Sequence, residues 1–136
     1  MILELFRLLV DFGLVVLIWI VQLVIYPGFR YYAKADLVRW HQIYTGRITL
    51  VVFPLMFVQL IIGAIQVWQG FDFLMLAEFV IILSLWGMTM VVFVPLHNKI
   101  ASNEFENATL NSLISKNLVR TILWTFLFLV SLYRTF

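Results

Sequence analysis

Long apolar runs separated by short polar segments dominate the pattern of this chain. The runs cover roughly Leu8–Tyr26, Ile48–Trp68, Phe73–Leu96 and Leu118–Tyr133. About 20 apolar residues cross the hydrocarbon core of a bilayer as a helix, so each run can span a membrane once tilt and interfacial aromatic residues are allowed. With their polar flanks, the runs predict helices over about residues 8–27, 36–68, 73–97 and 112–134.

The polar segments between the runs are short, so consecutive helices are expected to be antiparallel neighbours. Only residues 69–72 separate the second and third helices, and Asp72 is a candidate N-cap for the third. The predicted fold class is all-α: an integral membrane, up-down four-helix bundle that forms a single transmembrane domain over residues 1–136.

The composition excludes several classes of protein. Of 136 residues, 64% are apolar and 12% charged, with a mean hydropathy of +1.05, which is more apolar surface than a small soluble core buries. A net charge of +2 provides no basic surface for nucleic acid. The lack of cysteine excludes thiolate catalysis and iron–sulfur clusters. Membrane lipids and a lipophilic small molecule remain as expected partners, together with a homo-oligomer of this chain.

Lysine and arginine collect in the two connections that join the first helix to the second and the third to the fourth. Cationic flanks resist translocation, so these connections are expected on the cytoplasmic side. We therefore predict a protein of the cytoplasmic (inner) membrane with both chain termini outside. The basic residues of these connections are Arg30, Lys34, Arg39, Arg47, Lys99, Lys116 and Arg120, whereas the termini hold Arg7 and Arg134.

The two histidines of the chain, His41 and His97, both lie where an apolar run meets a basic connection. Histidine is the side chain that exchanges protons near neutral pH, and it also binds metals. Packed helices are about 8–10 Å apart, so side chains at one depth can converge. Polar and aromatic residues from all four helices are expected in this layer: Tyr26, Tyr44, Arg47, Asn98, Asn117 and Arg120.

Helical geometry separates two members of this layer. His41 and Thr45 share one face of the second helix, whereas Arg47 is rotated by about 120° from His41. His41 and Arg47 therefore serve one site only if the helix bends. Pro95 removes a backbone N–H from the third helix, so we expect this helix to kink or end there and to turn His97 inward.

A second group of polar residues lies toward the opposite end of the bundle. Arg7 and Asp11 are four residues apart and are expected to pair on one helix face. Glu78 is expected to interact mainly with the dipole at the start of the third helix. Gln59 falls in the middle of an apolar run, where a hydrogen bond to another helix is its expected role. The small residues expected to let the second and third helices approach closely are Gly63, Ala64, Ser84 and Gly87.

Four segments carry a resemblance to a known family: Tyr26–Phe29, Trp40–Tyr44, Val94–Lys99 and Asn117–Thr125. The last two contain a Pro-x-His-Asn end to the third helix and an Asn-x-x-Arg-Thr-x-x-Trp start to the fourth. On these segments the chain resembles the anthrone-oxygenase-like family of small four-helix membrane proteins. The resemblance implies oxidation of a polycyclic phenolic substrate without an obvious nucleotide cofactor, with the His, Asn and Arg of these motifs at the site.

Together, these features predict an oxygenase-like oxidoreductase that acts on a lipophilic substrate taken sideways from the bilayer. Such a reaction needs a base that forms an oxygen-reactive anion and a cation that stabilises it. His41 or His97 is the candidate base, and Arg120 is the candidate catalytic cation. The expected substrate-binding residues are Tyr26, Tyr44, Arg47, Asn98, Asn117 and Trp124, with Arg47 as the other possible cation.

Two alternatives of different classes remain open at this point. The first is a membrane protein that binds b-type haem or a divalent metal, with His41 and His97 as ligands and Glu104 or Glu106 as an additional ligand. The second is a non-catalytic transport or assembly subunit, which the small size of the chain favours.

Overall fold

The computed structural model of the protein describes residues 1–70 and 72–136. It contains four helices, each long and apolar enough to cross a membrane: α1 (Ile2–Tyr31), α2 (Lys34–Gln69), α3 (Phe73–Ala101) and α4 (Asn107–Thr135). Within the described ranges there is no strand. The structure confirms the predicted all-α class and the bundle of four membrane-length helices.

Several helix boundaries differ from the predicted ones, including the end of α1, which runs to Tyr31 rather than to about residue 27. α1 begins at Ile2 rather than near residue 8. Arg7 and Asp11 form an ion pair inside the bundle, so both charged residues are accommodated within the helix. α4 begins at Asn107 rather than near residue 112. Its first turn is capped by Glu106, whose backbone N–H donates to Thr109 Oγ1 at 3.3 Å. α3 runs past His97 to Ala101.

Two helices pass through a proline by means of a wider turn. A π-helical turn over Val21–Ile25 precedes Pro27 in α1, and another over Thr89–Phe93 precedes Pro95 in α3. A proline ring lacks an N–H and collides with the carbonyl one turn earlier, and a π turn relieves both problems. α3 therefore does not end at Pro95, as one form of the expectation had it, but continues to Ala101, and His97 lines the cavity.

The bundle places apolar side chains on its outside as well as in its core. α1 packs against α4 and α2, and α2 packs against α3. The core contains Leu14, Ile82, Leu85 and Leu127, all of which are almost fully buried. Leu23, Leu50, Val91 and Ile122, one on each helix, are more than half exposed on the outer surface. An apolar exterior on every helix is what a lipid environment requires.

A close approach of α2 and α3 depends on Gly63. A Cβ atom at this position would lie 3.0 Å from Ile82 Cδ1 and 3.1 Å from Phe79 Cδ2. The expected role of Gly63 in helix contact is therefore confirmed, whereas that of Gly87 is wrong, because nothing lies within 4 Å of a Cβ atom added there.

A buried polar network ties the helices together at the end that carries the chain termini, which we call the terminus end. The predicted pair of Arg7 and Asp11 is confirmed, with Nε and Oδ2 2.7 Å apart. Gln59 donates to Asp11 Oδ1 at 2.6 Å, so its expected hydrogen bond between helices is also present. Ser131 of α4 donates to the same carboxylate. Asp11 therefore joins α1, α2 and α4.

Glu78 and Asp72 extend this network to α3. Glu78 does not act mainly through the helix dipole, because it forms ion pairs with Arg7 (3.6 Å) and Arg134 (3.2 Å). Asp72 caps α3 as predicted, accepting a hydrogen bond from the backbone N–H of Met75 at 2.8 Å. This hydrogen bond and the nearby Arg134 hold the pKa of Asp72 below its usual value.

Candidate functional site

All four helices surround a cavity of about 330 Å³ at the opposite end of the bundle, which we call the histidine end. Its walls are mainly apolar, and its polar groups are concentrated near His41 and His97. Most of the predicted site residues line it: Tyr26, His41, Tyr44, His97, Asn98, Arg120 and Trp124. Arg47 and Asn117 do not line it.

Three side chains form a hydrogen-bonded series along one wall of the cavity. The hydroxyl of Tyr26 lies 3.0 Å from Nε2 of His97. Nδ1 of His97 in turn lies 2.7 Å from Nε2 of His41. α1, α2 and α3 thus each contribute one group to a single series of proton donors and acceptors.

This hydrogen-bonded series ends at His41, in the described part of the protein, with a nitrogen that has no hydrogen-bond partner. Nδ1 of His41 is buried and forms no hydrogen bond with any described residue. In a neutral imidazole one nitrogen carries a proton and the other accepts. If His41 Nε2 donates to His97, its buried Nδ1 is an unprotonated acceptor. The pair can therefore take up a proton at His41 and release another at Tyr26 without moving either ring.

Arg120 supplies a buried positive charge to the same cavity. The residue is only 7% exposed, and its guanidinium carbon lies 4.1 Å from the ring centre of Phe93 and 5.0 Å from that of Trp124. Its charge also acts on the phenol groups of Tyr26 and Tyr44. Among the residues that the structure describes, no carboxylate forms an ion pair with Arg120, and its Nε has no hydrogen-bond partner.

Trp124 holds its position through a second interaction. Its indole N–H donates to Gln59 Oε1 at 3.3 Å, and the amide of Gln59 is itself oriented by its bond to Asp11. The aromatic face that supports Arg120 is therefore connected to the buried network at the terminus end.

Asn117 and Arg47 lie away from the cavity. Asn117 is fully buried and donates to Gln22 Oε1 at 2.9 Å, while Gln22 donates to the carbonyl of Ile114 at 3.2 Å. These bonds join α4 to α1 outside the cavity. Arg47 is exposed and does not line the cavity, in agreement with its rotation of about 120° from His41 around α2.

Burial along the walls shows where the cavity opens. The wall residues of α1 and α4, such as Ile18, Arg120 and Trp124, are buried. The rim residues Phe53 of α2 and Met90 of α3 are about half exposed. Phe53 lies about 18 Å along α2 from His41. The opening is thus a slit between α2 and α3 that runs from the histidine end into the apolar part of the bundle.

Several cavity residues were missed by reasoning from the sequence. Thr49 and Val52 lie one and two turns beyond Thr45 on the face that carries His41, so helical spacing could have identified them. The α3 residues Thr89 and Phe93 belong to the π turn, whose altered register could not be read from the sequence.

As described, His41 and His97 are placed to bond to each other rather than to one zinc ion. Two imidazole nitrogens on one zinc ion, each bonded at about 2.0–2.1 Å, lie about 3.3 Å apart, but the facing nitrogens of His41 and His97 are 2.7 Å apart and bond to each other. Glu104 and Glu106 are exposed and do not line the cavity. Over residues 1–70 and 72–136, no group of three potential ligands is placed to hold a metal ion.

No protein-family model, curated protein or solved structure matches this chain.

Proposed function

We propose that this protein is a membrane enzyme that oxidises a lipophilic phenolic substrate in an oxygenase-like reaction at the histidine end. One observation carries the proposal: the hydrogen-bonded series Tyr26–His97–His41 and the buried cation Arg120 face the same apolar cavity. A base and a cation on one apolar pocket are the two elements needed to form and stabilise an organic anion.

In this reaction the base removes a proton from the ring CH₂ group of a hydroxyanthrone, which is made acidic by the aromatic carbonyl across the same ring. The hydrogen-bonded pair of His41 and His97 takes up this proton, and Arg120 stabilises the negative charge. The anion gives its electrons to molecular oxygen, the co-substrate, and a new carbon–oxygen bond forms. The stored proton returns to the resulting peroxide, which loses one water as the CH₂ group becomes a carbonyl. The hydrogen and oxygen atoms then balance.

The slit between α2 and α3 supports access from the lipid. Because its rim residues Phe53 and Met90 are apolar and exposed, an apolar substrate can enter without first crossing water. The interior polar groups then orient its hydroxyl or carbonyl. Tyr26 and Tyr44 are the wall residues whose hydroxyls serve this purpose, and Asn98 lies at the exposed part of the rim.

We further propose that the histidine end faces the cytoplasm and that the protein belongs to the cytoplasmic membrane. The basic side chains around this end are exposed, as is expected of residues that stay in water or contact anionic lipid headgroups. At the terminus end, Arg7 and Arg134 are instead ion-paired with carboxylates. The exposed basic residues are Arg30, Lys34, Arg39, Arg47, Lys99 and Lys116.

Turnover of a hydroxyanthrone by the purified protein in lipid nanodiscs tests the proposal. Wild-type protein is expected to accelerate oxygen uptake and formation of the anthraquinone above the rate in empty nanodiscs. His41→Gln and His97→Gln remove the base and should each lower kcat by about 10²–10⁴-fold. Arg47→Gln is the matched control on the outer surface and should retain the wild-type rate. Wild-type turnover in both histidine variants would refute the role of the pair.

A further inference from the structure

Arg120 is a buried cation that forms no ion pair with a carboxylate of the described residues. It lies within a membrane-length helix, is 7% exposed, and contacts the faces of Phe93 and Trp124. Aromatic faces attract a cation but do not neutralise it. A charged side chain inside a membrane is expensive unless it meets an opposite charge or a water-filled space. Its surroundings therefore favour an anion from outside the chain.

The other buried arginine shows how this protein neutralises a cation when it has its own partner. Arg7 pairs with Asp11 at 2.7 Å and with Glu78 at 3.6 Å. At the histidine end no described carboxylate takes that role, and the space beside Arg120 is the cavity. The empty volume next to the guanidinium is thus the place for the missing negative charge.

The shape of the cavity limits what can bring that charge. Its volume of about 330 Å³ is at the lower end of the usual range for small-molecule pockets, about 300–1,000 Å³. The walls away from Arg120 are mainly apolar, and the slit between Phe53 and Met90 leads into the lipid. An occupant with a charged head and an apolar body matches this division.

We infer that the cavity binds an acidic amphiphile as its anion, with the oxyanion at Arg120 and the apolar body extending through the slit between α2 and α3. The shared chemistry is a carboxylate or phenolate on an apolar body, and it can come from a planar aromatic acid or from a free fatty acid of the membrane. The inference rests on the cavity of the proposed function but not on its oxidation chemistry.

Binding is measured on the full-length protein in phosphatidylcholine nanodiscs at neutral pH, by energy transfer from tryptophan to a fluorescent probe. Trp124 and Trp86 line the cavity and act as donors. Anthracene-2-carboxylate is compared with the uncharged anthracene-2-methanol, and cis-parinaric acid with its alcohol. Empty nanodiscs correct for partitioning into lipid.

At least one acid is expected to bind the wild-type protein about 30-fold or more tightly than its alcohol, the effect of one desolvated charge pair. Arg120→Gln should remove this preference, Arg120→Lys should keep part of it, and Arg47→Gln should keep all of it. The preferred acid identifies the source of the anion. Equal binding of acid and alcohol, or binding of neither, would overturn the inference without the need for any variant.

The binding and turnover experiments fail independently. A preference for the acid without oxidation of the hydroxyanthrone supports the anion site and refutes the proposed reaction. Oxidation without a preference for either acid supports the proposed reaction and refutes the anion site.

Discussion

Two buried arginines with opposite surroundings define the chemistry of this protein at the scale of residues. Arg7 is 2% exposed and is held by two carboxylates, so its charge is used to join helices. Arg120 is held by two aromatic faces beside a cavity, so its charge remains available to a ligand. The same residue type thus joins helices at one end and is the proposed anion-binding residue at the other.

The ion pair at the terminus end gives a stability prediction. Asp11→Ala leaves the buried Arg7 without its nearest partner and Gln59 without an acceptor, so the free energy of unfolding should fall by about 3–5 kcal/mol. Thermal unfolding in detergent, followed by circular dichroism, measures the loss. Asp36→Ala, at an exposed acid in the first turn of α2, is the control and should leave the Tm unchanged.

Removing both charges makes this prediction sharper. The double variant Arg7→Leu, Asp11→Leu no longer carries an unpaired buried charge, so it should be more stable than Asp11→Ala. A single variant as stable as wild-type protein would show that the pair does not hold the helices together.

At the scale of elements, irregular turns and a close helix contact shape the site more than the regular helices do. The π turn over Thr89–Phe93 lets α3 pass Pro95, and it places Thr89 and Phe93 on the cavity wall and His97 opposite His41. The contact at Gly63 holds α3 against α2 nearer the terminus end. The slit between these two helices therefore opens only toward the histidine end.

The contact at Gly63 can be tested by adding side-chain volume. Gly63→Val forces Ile82 and Phe79 to move and should lower the free energy of unfolding by about 1–3 kcal/mol. Gly87→Ala is the control, because nothing lies within 4 Å of the added Cβ atom and alanine favours a helix. Equal Tm values for the two variants would contradict the close contact.

At the scale of the whole molecule, the polar groups at the two ends of the bundle are connected, but the two ends differ in structure. Trp124 links the two ends, since its ring supports Arg120 and its N–H bonds to Gln59. The network around Asp11 closes the bundle at the terminus end, whereas the histidine end leaves a cavity with a lateral opening. This asymmetry suits an enzyme that takes a substrate from the lipid.

Blocking the opening tests this view of the molecule. Met90→Trp adds bulk at the rim and should lower kcat/KM for the hydroxyanthrone about tenfold or more, mainly by slowing access. The neighbouring Val91→Trp is the matched control, since Val91 is exposed and does not line the cavity. An equal effect of both variants on turnover would show that the slit is not the route.

The amino-acid sequence by itself determined the four helices and the end of the bundle at which the histidines lie. Inside a bilayer every backbone group must find an internal partner, so apolar runs of this length form helices whatever their neighbours are. Short connections then fix the alternating direction of the helices, and local rules identified the pair of Arg7 with Asp11 and the cap at Asp72.

Only the tertiary structure decided which side chains meet. Asn117 and Arg120 lie less than one turn apart on α4, yet the rotation of that helix directs Asn117 to Gln22 and Arg120 to the cavity. The π turn changes the register of α3, which periodicity cannot reveal. The lack of a carboxylate at Arg120 in the described part of the chain is likewise a property of packing, because only the arrangement of helices shows which charges remain unpaired.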